Sequence, residues 1–219
     1  MNRILFLVSG NGGLLKFVFL CIEKQILPNY LISMVIADRE CNAFDFAVKK
    51  GLNSRIVTYD SNCRTQLLYE MKSNEFDVAI TTIYKLLDPD IVNSFDKKLI
   101  NVHPSLLPAF PGGLNAGKVA LKAGVKFLGT TVHYVDEGVD TGEIIAQSIM
   151  PIKENSDEIV VFNHHYQSWC LNLLNVLLLR VNCSAVSASN AYMDTLFNPP
   201  LSFDTAVFDD EFWSEIRNG

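Results

Sequence analysis

The chain has 219 residues, 49% of them hydrophobic and 19% charged, with a net charge of −6. This is enough apolar material for the core of one domain, or one domain with a small appendage. The acidic balance argues against general nucleic-acid binding; a small anionic substrate stays possible, because a nest of backbone N–H groups can hold an anion on an acidic protein.

Residues 3–8 form a short apolar run, expected as a buried parallel strand. The run is too short, and lacks the small-residue cleavage site, to be a signal peptide. Ser9 to Gly13 is a sharp turn, and Leu14 to Gln25 reads as a helix that ends before Pro28. Leu31 to Ala37 is a second strand. Ala43 to Lys50 is a helix stopped by Gly51, and Ser54 to Thr58 a third strand. Thr65 to Ser73 is helical, Asp77 to Thr82 a fourth strand, and Pro89 to Phe95 a short helix. Leu99 to Val102 is the fifth strand. This alternation defines an α/β class with a mostly parallel sheet.

After Gly113 the pattern changes. Ala116 to Ala123 reads as helix, and Phe127 to Tyr134 with Ile144 to Ile152 as an antiparallel pair at one edge. Ser156 is placed to cap a long helix reaching Leu179. The run Leu171 to Val181 is too short and too broken by Asn to span a membrane. From Asn182 the chain is polar, then aromatic. Cys21, Cys41, Cys63, Cys170 and Cys183 are scattered, odd in number and without a CxxC pair. They read as reduced thiols, not as a disulfide framework or a metal site, which suits a cytoplasmic protein.

Residues 99–152 carry the chemistry. Asn101 and His103 lie two apart on a strand, so both side chains leave the same face. Pro104 and Pro108 stop that strand. Asp140 lies in a second turn, Asp-Glu-Gly-Val-Asp-Thr-Gly, after another apolar run. An amide donor, an imidazole and a carboxylate at strand ends suit acyl transfer. Attack of an amine on an acyl carbon makes an oxyanion that needs donors, here the Asn101 amide and a protonated His103. The attacking nitrogen must then lose a proton, which Asp140 can accept while orienting His103. His133 sits on the following strand and either lines the site or holds the carboxylate loop. His164 and His165 are adjacent on a helix and are expected at the surface or in a substrate cleft, not as metal ligands.

Asn101 to Pro108, Pro111-Gly112, Thr131-Val132-His133 and Asp136 to Gly142 together resemble the glycinamide ribonucleotide formyltransferase family over residues 3–152. The resemblance implies a Rossmann-like α/β fold with flanking helices, antiparallel edge strands and a divergent C-terminal tail. It also implies transfer of a formyl group from 10-formyltetrahydrofolate to a primary amine, with Asn101, His103 and Asp140 catalytic and no metal. On the folate side it points to Tyr84, Lys85, Leu86 and Leu87 with Val139 and Asp140; Leu86, Leu87, Val92 and Val139 can form an apolar slot for the pterin. On the substrate side it points to the phosphate loop Gly10, Asn11, Gly12 and Gly13, with Lys16 and His133.

The chain departs from the pattern around the amine. Gly13 and Leu14 replace the serine and asparagine of the phosphate loop. Gly113 is extra, and His165-Tyr166-Gln167 lacks the glutamate expected on the long helix. These losses favour an amine on a nucleotide-linked amino sugar as acceptor. The alternatives are phosphoribosylglycinamide formylation in purine synthesis and, with water as acceptor, 10-formyltetrahydrofolate hydrolysis. An extra N-terminal regulatory domain, expected for hydrolysis, is not seen in the sequence. The expected organisation is a catalytic domain over 1–181 and an aromatic-rich extension over 182–219. That extension reads as a base-stacking surface, as packing or as the contact of a homodimer. The expected partners are the small-molecule amine and folate, with no nucleic acid and no membrane.

Overall fold

The computed structural model describes residues 1–59, 64–113, 115–181 and 189–218. Its elements are strands β1 (Asn2–Val8), β2 (Tyr30–Ala37), β3 (Ser54–Ile56), β4 (Val78–Thr82), β5 (Leu99–His103), β6 (Phe127–Tyr134), β7 (Ile144–Pro151), β8 (Ser189–Tyr192) and β9 (Thr195–Leu201). The helices are α1 (Gly13–Glu23), α2 (Asn42–Lys49), α3 (Arg64–Ser73), α4 (Pro89–Ser94), α5 (Ala116–Lys122), α6 (Glu158–Arg180) and α7 (Asp210–Asn218). The chain divides into two compact units, Met1–Asn101 with Asp210–Gly219, and Val102–Asp209.

In the first unit the strands run parallel in the order β3-β2-β1-β4-β5. Strand β1 is the centre, and Ile4 to Val8 are at most 1% exposed, as a strand covered on both faces requires. Gly12 enters α1 at φ 70°. A Cβ there would meet the Ala43 Cβ at 2.7 Å, so glycine serves both the left-handed backbone and the close approach of α2. The far face of α1 is packed by the C-terminal segment. Trp213 stacks on Phe17 with ring centroids 5.7 Å apart, and Phe212 meets Phe17 edge-on. Both tail aromatics are buried, so of the three readings of these two rings, packing is the one observed.

In the second unit β6, β7, β9 and β8 are antiparallel in that order. The β6–β7 pair expected from sequence is present, but β9 and β8 extend it, so β7 is interior and not an edge. Helix α6 packs on β6, β7 and β9. Its cap is Asp157, whose carboxylate accepts from the Ile159 N–H at 2.7 Å, one residue beyond the expected Ser156. Asn is expected to interrupt an apolar helix, and here it holds this one in place. Asn175 donates to the carbonyls of Pro199 and Pro200 and accepts from Ser202, while Asn172 donates to Thr130. No helix among the described residues is long and apolar enough to cross a membrane. Cys21, Cys41 and Cys170 are free thiols; Cys63 and Cys183 lie outside the described residues.

Candidate active site

Strand β5 ends at His103, and the next ten residues form a loop fixed by side chains of β6 and β7. The Thr131 hydroxyl donates to the Ser105 carbonyl at 2.8 Å and accepts from the Leu107 N–H at 3.0 Å. Gln147 donates to the Leu107 carbonyl at 2.9 Å. The Ser105 hydroxyl donates to Ala109 O at 2.6 Å. The indole N–H of Trp169 on α6 donates to Val102 O at 2.7 Å and steadies the end of β5. The loop therefore presents two backbone groups at fixed places: the Phe110 carbonyl and the Gly112 N–H.

Those two groups meet His103 and Asp140. His103 Nε2 lies 2.9 Å from Phe110 O, and its Nδ1 lies 3.1 Å from Asp140 Oδ2. Gly112 N–H donates to the same Oδ2 at 2.7 Å. His133 lies 3.6 Å from the other oxygen through Nε2, while its Nδ1 lies 2.8 Å from Tyr134 O. Both histidines are buried, at 4% and 2% exposure. The β6–β7 register slips between Val132 and His133, a bulge of the kind found beside active sites.

Asp140 is placed by its own turn. The Asp136 carboxylate accepts from the Gly138 N–H at 3.1 Å and from the Thr141 hydroxyl at 2.8 Å. Gly142 leaves no room for a side chain, since a Cβ would lie 1.8 Å from Tyr134 O. Within this turn Asp140 adopts φ 54°, a left-handed conformation that aspartate tolerates better than most residues. Its carboxyl is held below the ordinary aspartate range. The His133 ring does most of this, and the Gly112 N–H and the charge of His103 add to it against the opposing effect of burial.

The sequence-predicted residues fall as follows. His103, His133 and Asp140 are brought together. Asn101 precedes His103 on the same strand, half-buried, opposite Thr81 of β4 at the end of the first unit. Of the pterin-slot residues, Leu86 and Val139 are exposed, whereas Leu87 and Val92 are buried. Tyr84 is exposed, its N–H donates to the Ser9 hydroxyl at 3.1 Å, and its ring lies under the Arg39 guanidinium. Lys85 reaches Tyr59 O through Nζ. In the glycine loop, Gly10 O accepts from the Ala43 N–H at 2.9 Å, and Asn11 accepts from the Asn42 amide at 2.9 Å. The Lys16 ammonium sits over the Phe46 ring, 5.7 Å from its centroid. A groove of about 400 Å³ between α5 and the start of α6 is lined by none of these residues.

His165 corrects one expectation. It is neither at the surface nor in a cleft but 5% exposed, with Nε2 2.8 Å from Gly129 O, and burial lowers its pKa. Adjacent helical residues face different sides, and this one faces β6. Sequence reading missed the Phe110 carbonyl and the Gly112 N–H, because backbone groups leave no residue-type signal. The Pro111-Gly112 turn is the only trace of them.

A half-parallel α/β chain with an imidazole–carboxylate pair at a strand end defines an acyl-transfer class of enzyme fold. Residues 2–167 match the formyl transferase family, and the chain belongs to that family. It is 33% identical over 162 residues to phosphoribosylglycinamide formyltransferase of Mycobacterium tuberculosis, covering 71% of this chain and 74% of that one. It is 33% identical over 178 residues to the trifunctional purine biosynthetic protein adenosine-3 of Drosophila pseudoobscura pseudoobscura, covering 77% of this chain and 13% of that protein. Among solved structures, phosphoribosylglycinamide formyltransferase from Bacillus halodurans superposes with a TM-score of 0.76 at 26% identity, covering 88% of this chain and all of that one. The chain spans 13%, 58% and 46% of the lengths of the first three curated relatives it matches.

Proposed function

We propose that this protein transfers the formyl group of 10-formyltetrahydrofolate to the amine of phosphoribosylglycinamide. The observation that carries the reading is the His103–Asp140 pair, held at 3.1 Å by a loop that the family motif encodes. The nucleotide-linked amino sugar expected as acceptor finds no support among the relatives named above. Their names favour the purine-synthesis alternative.

The chemistry follows from the groups present. The acceptor amine attacks the formyl carbon, and the carbonyl electron pair moves to oxygen. The Asn101 amide and His103 stabilise that charge as donors. His103 Nε2 rests on the Phe110 carbonyl, so an oxyanion takes the place of that carbonyl during reaction. Asp140 fixes the His103 ring and receives the proton of the attacking nitrogen. Tyr84, Lys85, Leu86, Leu87 and Val139 serve the folate, and Gly10 to Gly13 with Lys16 serve the phosphate. The glycine loop offers backbone N–H groups in place of the missing serine and asparagine.

Steady-state kinetics with the formyl donor, phosphoribosylglycinamide and a panel of amino-sugar nucleotides test the reading, with formylated product identified by mass. Phosphoribosylglycinamide is expected to show the highest kcat/KM. A higher value on an amino-sugar nucleotide would reject the acceptor, and no formylated amine at all would reject the activity.

A further inference from the structure

His103 and His133 are anchored alike. One nitrogen of each ring lies within 2.9 Å of a backbone carbonyl, Phe110 O for His103 and Tyr134 O for His133. A carbonyl only accepts, so each of those nitrogens carries a proton. Each ring then turns its second nitrogen to the same carboxylate. The two contacts are unequal. His103 Nδ1 stands 3.1 Å from Asp140 Oδ2, within hydrogen-bond reach. His133 Nε2 stands 3.6 Å from Oδ1, beyond it, and is a buried atom with no hydrogen-bond partner.

One carboxylate charge balances one imidazolium. The shorter contact assigns that extra proton to His103 and leaves a bare lone pair on His133 Nε2. Buried polar atoms are almost always partnered, so an exception aimed at a reactive carboxylate asks for a role. Resting on the formyl-transfer reading above, we propose that His133 is the proton store of this site: the proton shed by the attacking amine crosses Asp140 and waits on His133 Nε2 until the leaving nitrogen collects it.

The step balances. The amine lone pair forms the C–N bond, and the resulting N⁺–H gives its proton to Asp140 Oδ1. Oδ1 passes it to His133 Nε2, whose lone pair faces it. Collapse of the tetrahedral centre breaks the bond to the leaving nitrogen of the folate. That nitrogen takes the electron pair and, by the reverse path, the proton. Gly112 N–H and His103 occupy Oδ2, which leaves Oδ1 as the exchange oxygen. The surroundings that keep Asp140 ionised make it a conduit for protons. His133 acts through Asp140 and is a positioning residue, fixing where the proton waits.

The test uses the full chain carrying His133→Gln, which keeps an amide N–H near Asp140 but takes up no proton. The expected result is a kcat lowered roughly ten- to a hundredfold, the lower part of the usual range for acid–base groups. KM for both substrates stays within about threefold, as for a residue acting only after binding, and the solvent deuterium isotope effect on kcat rises. A raised KM with unchanged kcat makes His133 a binding residue and overturns the proposal, as does an unimpaired variant. A second measurement needs no turnover. Ring ¹⁵N shifts of the wild-type protein are expected to show His103 doubly protonated and His133 with bare Nε2. A doubly protonated His133 overturns the proposal even if the variant fails to fold. Wild type that formylates no amine rejects the activity instead, and the ¹⁵N result remains readable.

Discussion

The Asp136–Gly142 turn and the Gly10–Gly13 turn both follow β-strands, and they are built on opposite plans. The first is dense in side-chain contacts: Asp136 holds Gly138 and Thr141, and Asp140 meets two imidazoles and a backbone N–H. The second has no hydroxyl or carboxylate of its own, and Lys16 beside it leans on Phe46. Bond exchange needs groups that move protons and carry charge, which only side chains supply. Holding an anion needs directed N–H groups, which a glycine backbone supplies unaided. The family chemistry is thus retained in side chains, and acceptor binding has been given over to the main chain.

Breaking the dense turn should have the largest effect. Asp140→Asn removes the proton path and is expected to lower kcat by about a thousandfold, roughly 4 kcal/mol. The same variant reports on acid stability. A carboxyl whose folded pKa is depressed stabilises the fold above its unfolded value and loses that contribution as pH falls through the folded one. Wild type should therefore exceed Asp140→Asn at neutral pH, with the gap closing below the ordinary aspartate range; melting temperatures across pH 2–7 or so would show it.

The glycine turn can be attacked through its support or directly. Trp213→Ala removes the ring stacked on Phe17 of α1, the helix that the turn opens. A loss of about 3 kcal/mol in denaturant unfolding is expected. Gly12→Ala forces a Cβ onto Ala43 at left-handed φ and should cost about 2 kcal/mol while raising KM for the amine. The smallest change sharpens the contrast. Gly13→Ser returns a hydroxyl to the loop and should lower KM for phosphoribosylglycinamide about fivefold, the worth of one hydrogen bond near 1 kcal/mol. An unchanged KM would show that the loop does not hold the phosphate.

Much of this was legible in the residues. The alternation through Leu99 placed every element of the parallel half, because buried strands are plain apolar runs. The motif around Asn101, His103 and Asp140 placed the imidazole–carboxylate pair before any coordinates. The hairpin β8–β9 was not legible: Asn198, Pro199 and Pro200 argue against a strand locally, and its place is set by pairing with β7 and by Asn175. The seating of Trp213 on α1 was equally hidden, since an aromatic tail reads the same whether it packs inward or offers a surface. His133 was visible as a motif residue, but its unpartnered nitrogen depends on a backbone carbonyl and a register slip that no residue type signals.

The left-handed backbone at Asp140 limits which sequences can inherit this site. Besides glycine, the residues that most readily enter that conformation are asparagine and aspartate. An aspartate codon becomes an asparagine codon by a single-nucleotide change. A descendant with that change would keep the turn, the Gly112 contact and the fold, and would lose the proton path alone. In such a lineage a superposable structure would say nothing about activity, and position 140 would be the first residue to read.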